Sequence, residues 1–138
     1  MACLLFALTA GACGGGDGGS ADPTSSTPTV AADRPASTAK LTIVSPKNAQ
    51  VIHGTTLRLK VSLEEAKVVP VTTTDIVPDE GHLHVTMDGQ LITMTGDLEQ
   101  LIANLTPGQH LLKVEFVASD HAPFDPRVIA AVAFEVKA

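Results

Sequence analysis

His82 and His84 stand two apart in the segment Gly81-His82-Leu83-His84-Val85. In an extended strand such residues project from one face, about 7 Å apart along the chain. A third histidine follows in Asp120-His121-Ala122-Pro123. Three imidazoles and a carboxylate suit Zn²⁺ or Cu²⁺, and Asp79, Glu80, Asp120 and Asp125 offer carboxylates nearby. Copper or zinc is therefore the cofactor that His82, His84 and His121 could hold. Two other roles stay open. His82 and His84 could hydrogen-bond to loop carbonyls while His121 packs a loop, or the three could form a surface for a protein partner.

Other residues of chemical interest read more simply. His110 belongs to an inward-facing set and is expected to cap the core. His53 precedes Gly54 in a turn and is expected to be exposed. Thioethers bind copper(I), but Met87 has core parity and Met94 has no second methionine at ligand spacing, so both read as core filling. No Ser or Cys stands in a G-x-S-x-G turn, and Gly14 to Gly19 precede no helix, so neither acyl transfer nor phosphate binding is expected. Glu64-Glu65 reads as solvated loop charge. The chain is expected not to be an enzyme.

The histidines need strands to bring them together. Leu57, Leu59, Val61 and Leu63 alternate with polar residues, as do Leu83, Val85 and Met87, and again Leu112, Val114 and Phe116. This period of two marks half-buried strands. Leu41 and Ile43 give a first strand that stops at Ser45-Pro46. Asp88-Gly89 supplies a hairpin turn, Leu91 to Met94 the return strand, and Val128 to Val136 the last strand. Asp97 to Leu105 resembles a short helix at a corner. Short strands, regular turns and no βαβ spacing predict an all-β, immunoglobulin-like antiparallel β-sandwich over residues 40–138. In that arrangement the strand of His82 and His84 neighbours the one running from about Gln109 to Ala118. Its start meets the other's end, just before His121, whose parity follows Lys113, Glu115 and Val117. The three histidines then converge on one outer corner, and Leu111 and Val117 are expected as exposed apolar positions suited to a protein partner.

Composition narrows the partners. The chain has 138 residues, a net charge of -6 and a pI near 5.2. Nine basic residues with no cluster exclude nucleic acid as an expected partner. Trp and Tyr are absent, so the core must come from Val, Leu, Ile, Ala and four Phe. Gly14 to about Ala39 is nearly all Gly, Ser, Thr, Ala, Pro and Asp, too polar to offset its ordering entropy. As a flexible tether it would span roughly 25–30 Å.

Two resemblances follow. Leu4-Leu5-Phe6-Ala7-Leu8, then Thr9-Ala10-Gly11-Ala12 and Cys13, resemble the lipobox of exported bacterial lipoproteins, with Ala10 where Leu is usual and no Lys or Arg before the apolar run. The resemblance implies a signal peptide with lipobox over 1–12, lipidation of Cys13, and a linker over 13–39. It further implies a membrane-anchored, extracytoplasmic location, at the cell surface or in the periplasm. With Cys3 removed, Cys13 is the sole cysteine and no disulfide forms. Further on, Leu105-Thr106-Pro107-Gly108-Gln109-His110-Leu111-Leu112-Lys113-Val114 resembles a late strand of bacterial immunoglobulin-like domains. Gly81-His82-Leu83-His84 and Asp120-His121-Ala122-Pro123 are similar to the marks of an exported, DUF4399-like family: a G-H-x-H strand and a later D/N-H-x-P loop. That family has no established activity, so it implies the fold and the histidine positions alone. The expected function is a non-enzymatic, lipid-anchored binding or accessory module. The alternative is a copper- or zinc-binding protein using the histidine corner.

Overall fold

A computed structural model describes residues 33–138. The expected signal peptide, Cys13 and most of the linker lie outside the described residues. Nine strands follow in order: β1 (Lys40–Ser45), β2 (Gln50–His53), β3 (Leu57–Glu64), β4 (Lys67–Val68), β5 (Glu80–Met87), β6 (Gln90–Thr95), β7 (Glu99–Ile102), β8 (Gly108–Ala118) and β9 (Pro123–Lys137). They form a three-stranded sheet, β1-β3-β7, and a larger one, β2-β9-β8-β5-β4, with β6 also pairing β5. This is the expected all-β sandwich.

The alternating sets face one core. Leu57, Leu59 and Val61 of β3 are buried, as are Leu83, Val85 and Met87 of β5 and Leu112, Val114 and Phe116 of β8. Each such side chain removed from water contributes about 1.5–3 kcal/mol. Phe124 and Phe134 fill the remaining volume, and Phe116 stacks on Phe124 with ring centroids 5.3 Å apart. Three phenylalanines thus replace the missing larger aromatic residues at the centre.

Four local expectations are corrected. The segment expected as a helix contains β7, which lies antiparallel on β3 with Leu59 opposite Gln100 and Lys60 opposite Glu99. Edge pairing there supplies hydrogen bonds that a lone helical turn would lack, and Lys60 adds a 2.7 Å ion pair to Glu99. Two pairings, β2 with β9 and β4 with β5, are parallel. The first arises because the chain crosses from one sheet to the other at the Ser45-Pro46 stop. Val117 is only 2% exposed, whereas Leu111 is 53% exposed. Val117 stands between His82 and Pro123 in the ladder, at the corner where the next turn closes. Met94, expected in the core, is 46% exposed. It sits opposite His84 on β6 and so shares that residue's outward face.

Candidate metal centre

The corner is built on a glycine. Residues Gly81 to Met87 of β5 pair antiparallel with Ala118 to Leu112 of β8, as the immunoglobulin-like arrangement predicts. A Cβ on Gly81 would lie 1.9 Å from the Val117 carbonyl oxygen, so only glycine lets the start of β5 approach the end of β8. The Gly81 carbonyl also accepts a hydrogen bond from the Val69 N–H at 2.8 Å. His82 and His84 follow on the outward face, with Leu83 between them turned into the core.

His121 arrives by a different route from the one its parity suggested. β8 ends at Ala118 and a tight turn leads to Pro123. In it the His121 N–H donates to the Ala118 carbonyl at 2.9 Å, and the Ala118 N–H to the Ala122 carbonyl at 3.1 Å. His121 takes a left-handed backbone conformation, φ 65°, uncommon outside glycine and asparagine. The turn, and not a continued strand, folds the imidazole back over the sheet. Arg34 braces it: its guanidinium pairs bidentately with Asp120 at 2.6 and 2.8 Å, and its Nε–H donates to the Pro123 carbonyl at 2.8 Å. This pairing holds the Asp120 carboxyl down to about 2. Arg34 falls in the segment read as linker, of which residues 33–39 lie against the domain. There the Ser37 hydroxyl and Thr38 N–H also donate to Asp79.

The three imidazoles meet. His82 Nε2 lies 3.2 Å from His84 Nε2 and 3.0 Å from His121 Nδ1, and the last two nitrogens are 3.4 Å apart. Burial is graded: His82 is fully buried, His84 intermediate and His121 exposed. The ring nitrogens form a small triangle with one open side. Each nitrogen is either a donor or an acceptor, so three of them cannot satisfy one another pairwise; at least one pair must be like facing like. A cation at the shared point removes that conflict. Tetrahedral coordination at ~2.0–2.1 Å sets its nitrogen ligands ~3.3–3.4 Å apart, close to the spacings found.

Electrostatics favour neutral, ligand-ready rings. Burial, and then the proximity of His121 and His84, push His82 down to about 4. Burial also lowers His84, followed by His121, with Glu115 opposing. Three of the four carboxylates expected nearby, Asp79, Glu80 and Asp120, are engaged elsewhere, as is Glu115. Glu115, opposite His84 in the ladder, is buried beneath Arg127, which donates to it at 2.7 and 2.6 Å. Asp120 is held by Arg34, Glu80 pairs with Lys67 at 2.8 Å, and Asp79 is held by Ser37 and Thr38. Among the described residues the clustered ligand groups are the three histidines alone. Among the described residues, the buried atoms His82 Nδ1 and Ser119 Oγ find no hydrogen-bond partner.

The other histidines fall where expected. His53 is exposed at the end of β2. His110 stacks on Phe134 and uses both nitrogens, donating to Asp88 and to the Thr106 carbonyl at 2.7 Å each. A depression of about 290 Å³ opens beside it, between Met87, Ile92, Ile102 and Leu105, and none of the three clustered histidines borders it. Sequence reasoning missed Arg34 and Arg127, which act across separations that no local pattern marks.

No protein family and no curated protein matches the chain. Solved structures resemble it at the level of fold. The fibronectin(III)-like modules of Clostridium thermocellum CbhA superpose with a TM-score of 0.50 at 17% identity, covering 72% of this chain and 46% of that one. The chain thus spans about half of that structure's length. The PKD domain of human KIAA0319 gives a TM-score of 0.47 at 17% identity, over 88% of this chain and 92% of that one. These likenesses are to sandwich domains of the immunoglobulin-like kind.

Proposed function

We propose that this protein is a non-enzymatic metal-binding module, with His82, His84 and His121 as ligands for a copper or zinc ion. One observation carries the reading: three imidazole nitrogens, brought from two elements, lie 3.0 to 3.4 Å apart around a common point. The exposed edge at His121 leaves the bound ion one open position, suited to exchange with a partner or ligand. The lipobox resemblance supports an extracytoplasmic site for this module, anchored by a lipid on Cys13; Cys13→Ala should then release the protein from the membrane fraction.

The test is titration of the chain with Zn²⁺ and Cu²⁺ by calorimetry. One equivalent should bind with a Kd tighter than about 10 µM, or ~−7 kcal/mol. Single alanine substitutions of His82, His84 or His121 should each remove that site. Weaker binding, or binding indifferent to these substitutions, would leave the cluster as architecture and return function to the exposed face around Leu111.

A further inference from the structure

β6 exposes three large apolar side chains, Leu91, Ile92 and Met94. Exposure alone is ordinary on an outer strand. Met94 differs in two respects: it carries a donor atom, and its register sets it directly opposite His84. Opposed residues on antiparallel strands share a face with Cβ atoms about 4.5–5.5 Å apart, within the reach of a long flexible side chain. Met87, by contrast, is 8% exposed and needs no role beyond packing.

The charges around the cluster point the same way. Glu115 and Asp120 flank the histidines in sequence or register, and each is neutralised by a bidentate arginine. The donors left are uncharged imidazole nitrogens and one thioether. Hard divalent ions gain most from carboxylate oxygen, whereas a soft monovalent ion is served by imidazole and thioether.

We propose that Met94 supplies the fourth donor of the site and that the resident ion is copper(I), held by His82, His84, His121 and the Met94 sulfur. This rests on the metal-binding reading above and names the ion. A rotation of the Met94 side chain closes the open position when copper(I) arrives and frees it when copper leaves, which suits a carrier.

Met94→Leu tests this, since it keeps the size and exposure of the side chain and removes only sulfur. Copper(I) affinity would be measured anaerobically by competition with a chromophoric chelator, and Zn²⁺ affinity by calorimetry, both on the full chain. The substitution should weaken copper(I) binding by about tenfold or more, the scale on which even outer-sphere partners of a metal act. Zn²⁺ binding should change by less than about twofold. X-ray absorption at the copper edge should show a sulfur neighbour in the wild type that is lost in Met94→Leu. Equal affinities before and after substitution, an equal loss for both ions, or no sulfur neighbour in the wild type would overturn the Met94 assignment and leave the three-histidine site standing. Failure of the wild type to bind either ion would overturn both.

Discussion

The larger sheet carries a histidine group at each end and treats the two in opposite ways. At the β5–β6 hairpin, His110 has both nitrogens paired with oxygen acceptors and its ring stacked on Phe134. Its proton is favoured: the Thr106 carbonyl, and then Asp88, raise it above the usual imidazole value. At the other end, His82 is more deeply enclosed, but it faces two more imidazoles, and among the described residues no acceptor fixes its Nδ1. Its proton is disfavoured, down to about 4. A histidine that closes a structure is saturated by fixed oxygen partners. One that is buried yet left with a neutral nitrogen aimed at its like is arranged for something from outside.

The widest gap between the two ends should appear in metal affinity. His121→Ala should weaken zinc or copper binding by about 10³-fold, or ~4 kcal/mol, a share of the ~10–16 kcal/mol that a full structural zinc ligand set supplies. His110→Ala should leave that affinity unchanged. Calorimetric titration of both variants would decide it, and an equal effect at the two ends would erase the distinction.

Acid should separate them next, in metal-free protein. The unfolded chain protonates the His82 ring near pH 6.5 and the folded chain only near 4, so between these values the unfolded state binds the extra proton. The stability due to its neutral form is complete above pH 6.5 and falls by about 3 kcal/mol as pH drops to 4. Urea unfolding across that range should show a larger loss in the wild type than in His82→Gln, where the burial of His84 still contributes. A wild-type curve no steeper than the variant's would mean that the ring is more hydrated than its burial suggests.

The smallest effect belongs to the hairpin end and has the opposite sign. His110 is raised, so its contribution is complete below the unfolded value of 6.5 and disappears as pH rises through the folded one. Asp88 also accepts the Leu111 N–H at 2.8 Å, but it is 47% exposed, which limits the ion pair. Asp88→Asn should therefore cost about 1 kcal/mol at pH 6 and less at pH 8. NMR titration of His110 would show its pKa falling in the variant; no change there would mean that the Thr106 carbonyl alone holds the proton.

Legibility in the sequence followed the range of the interaction. Period-two alternation marked β3, β5 and β8 correctly, because burial of one face is written into every second residue. It failed at β7, where Leu98, Leu101, Ile102 and Leu105 have helical spacing, and only the open edge of β3 gives that segment its hydrogen-bond partners. Parity failed similarly for Val117, which points outward yet is covered, and for Met94, whose place depends on its register with β5.

By itself the sequence determined which strands exist, which of their faces is apolar, and that His82 and His84 share a face, since these follow from the two-residue repeat of an extended chain. Antiparallel pairing of β5 with β8 followed from the expected immunoglobulin-like arrangement, and it brought His121 to the correct end. Only the tertiary structure decided that the three rings meet at a point. That convergence needs a missing side chain at Gly81, a left-handed residue at His121, and a brace from Arg34, 86 positions before Asp120 in the chain. Steric permission, backbone handedness and a long-range ion pair have no local signature, and they turn three separate histidines into one cluster.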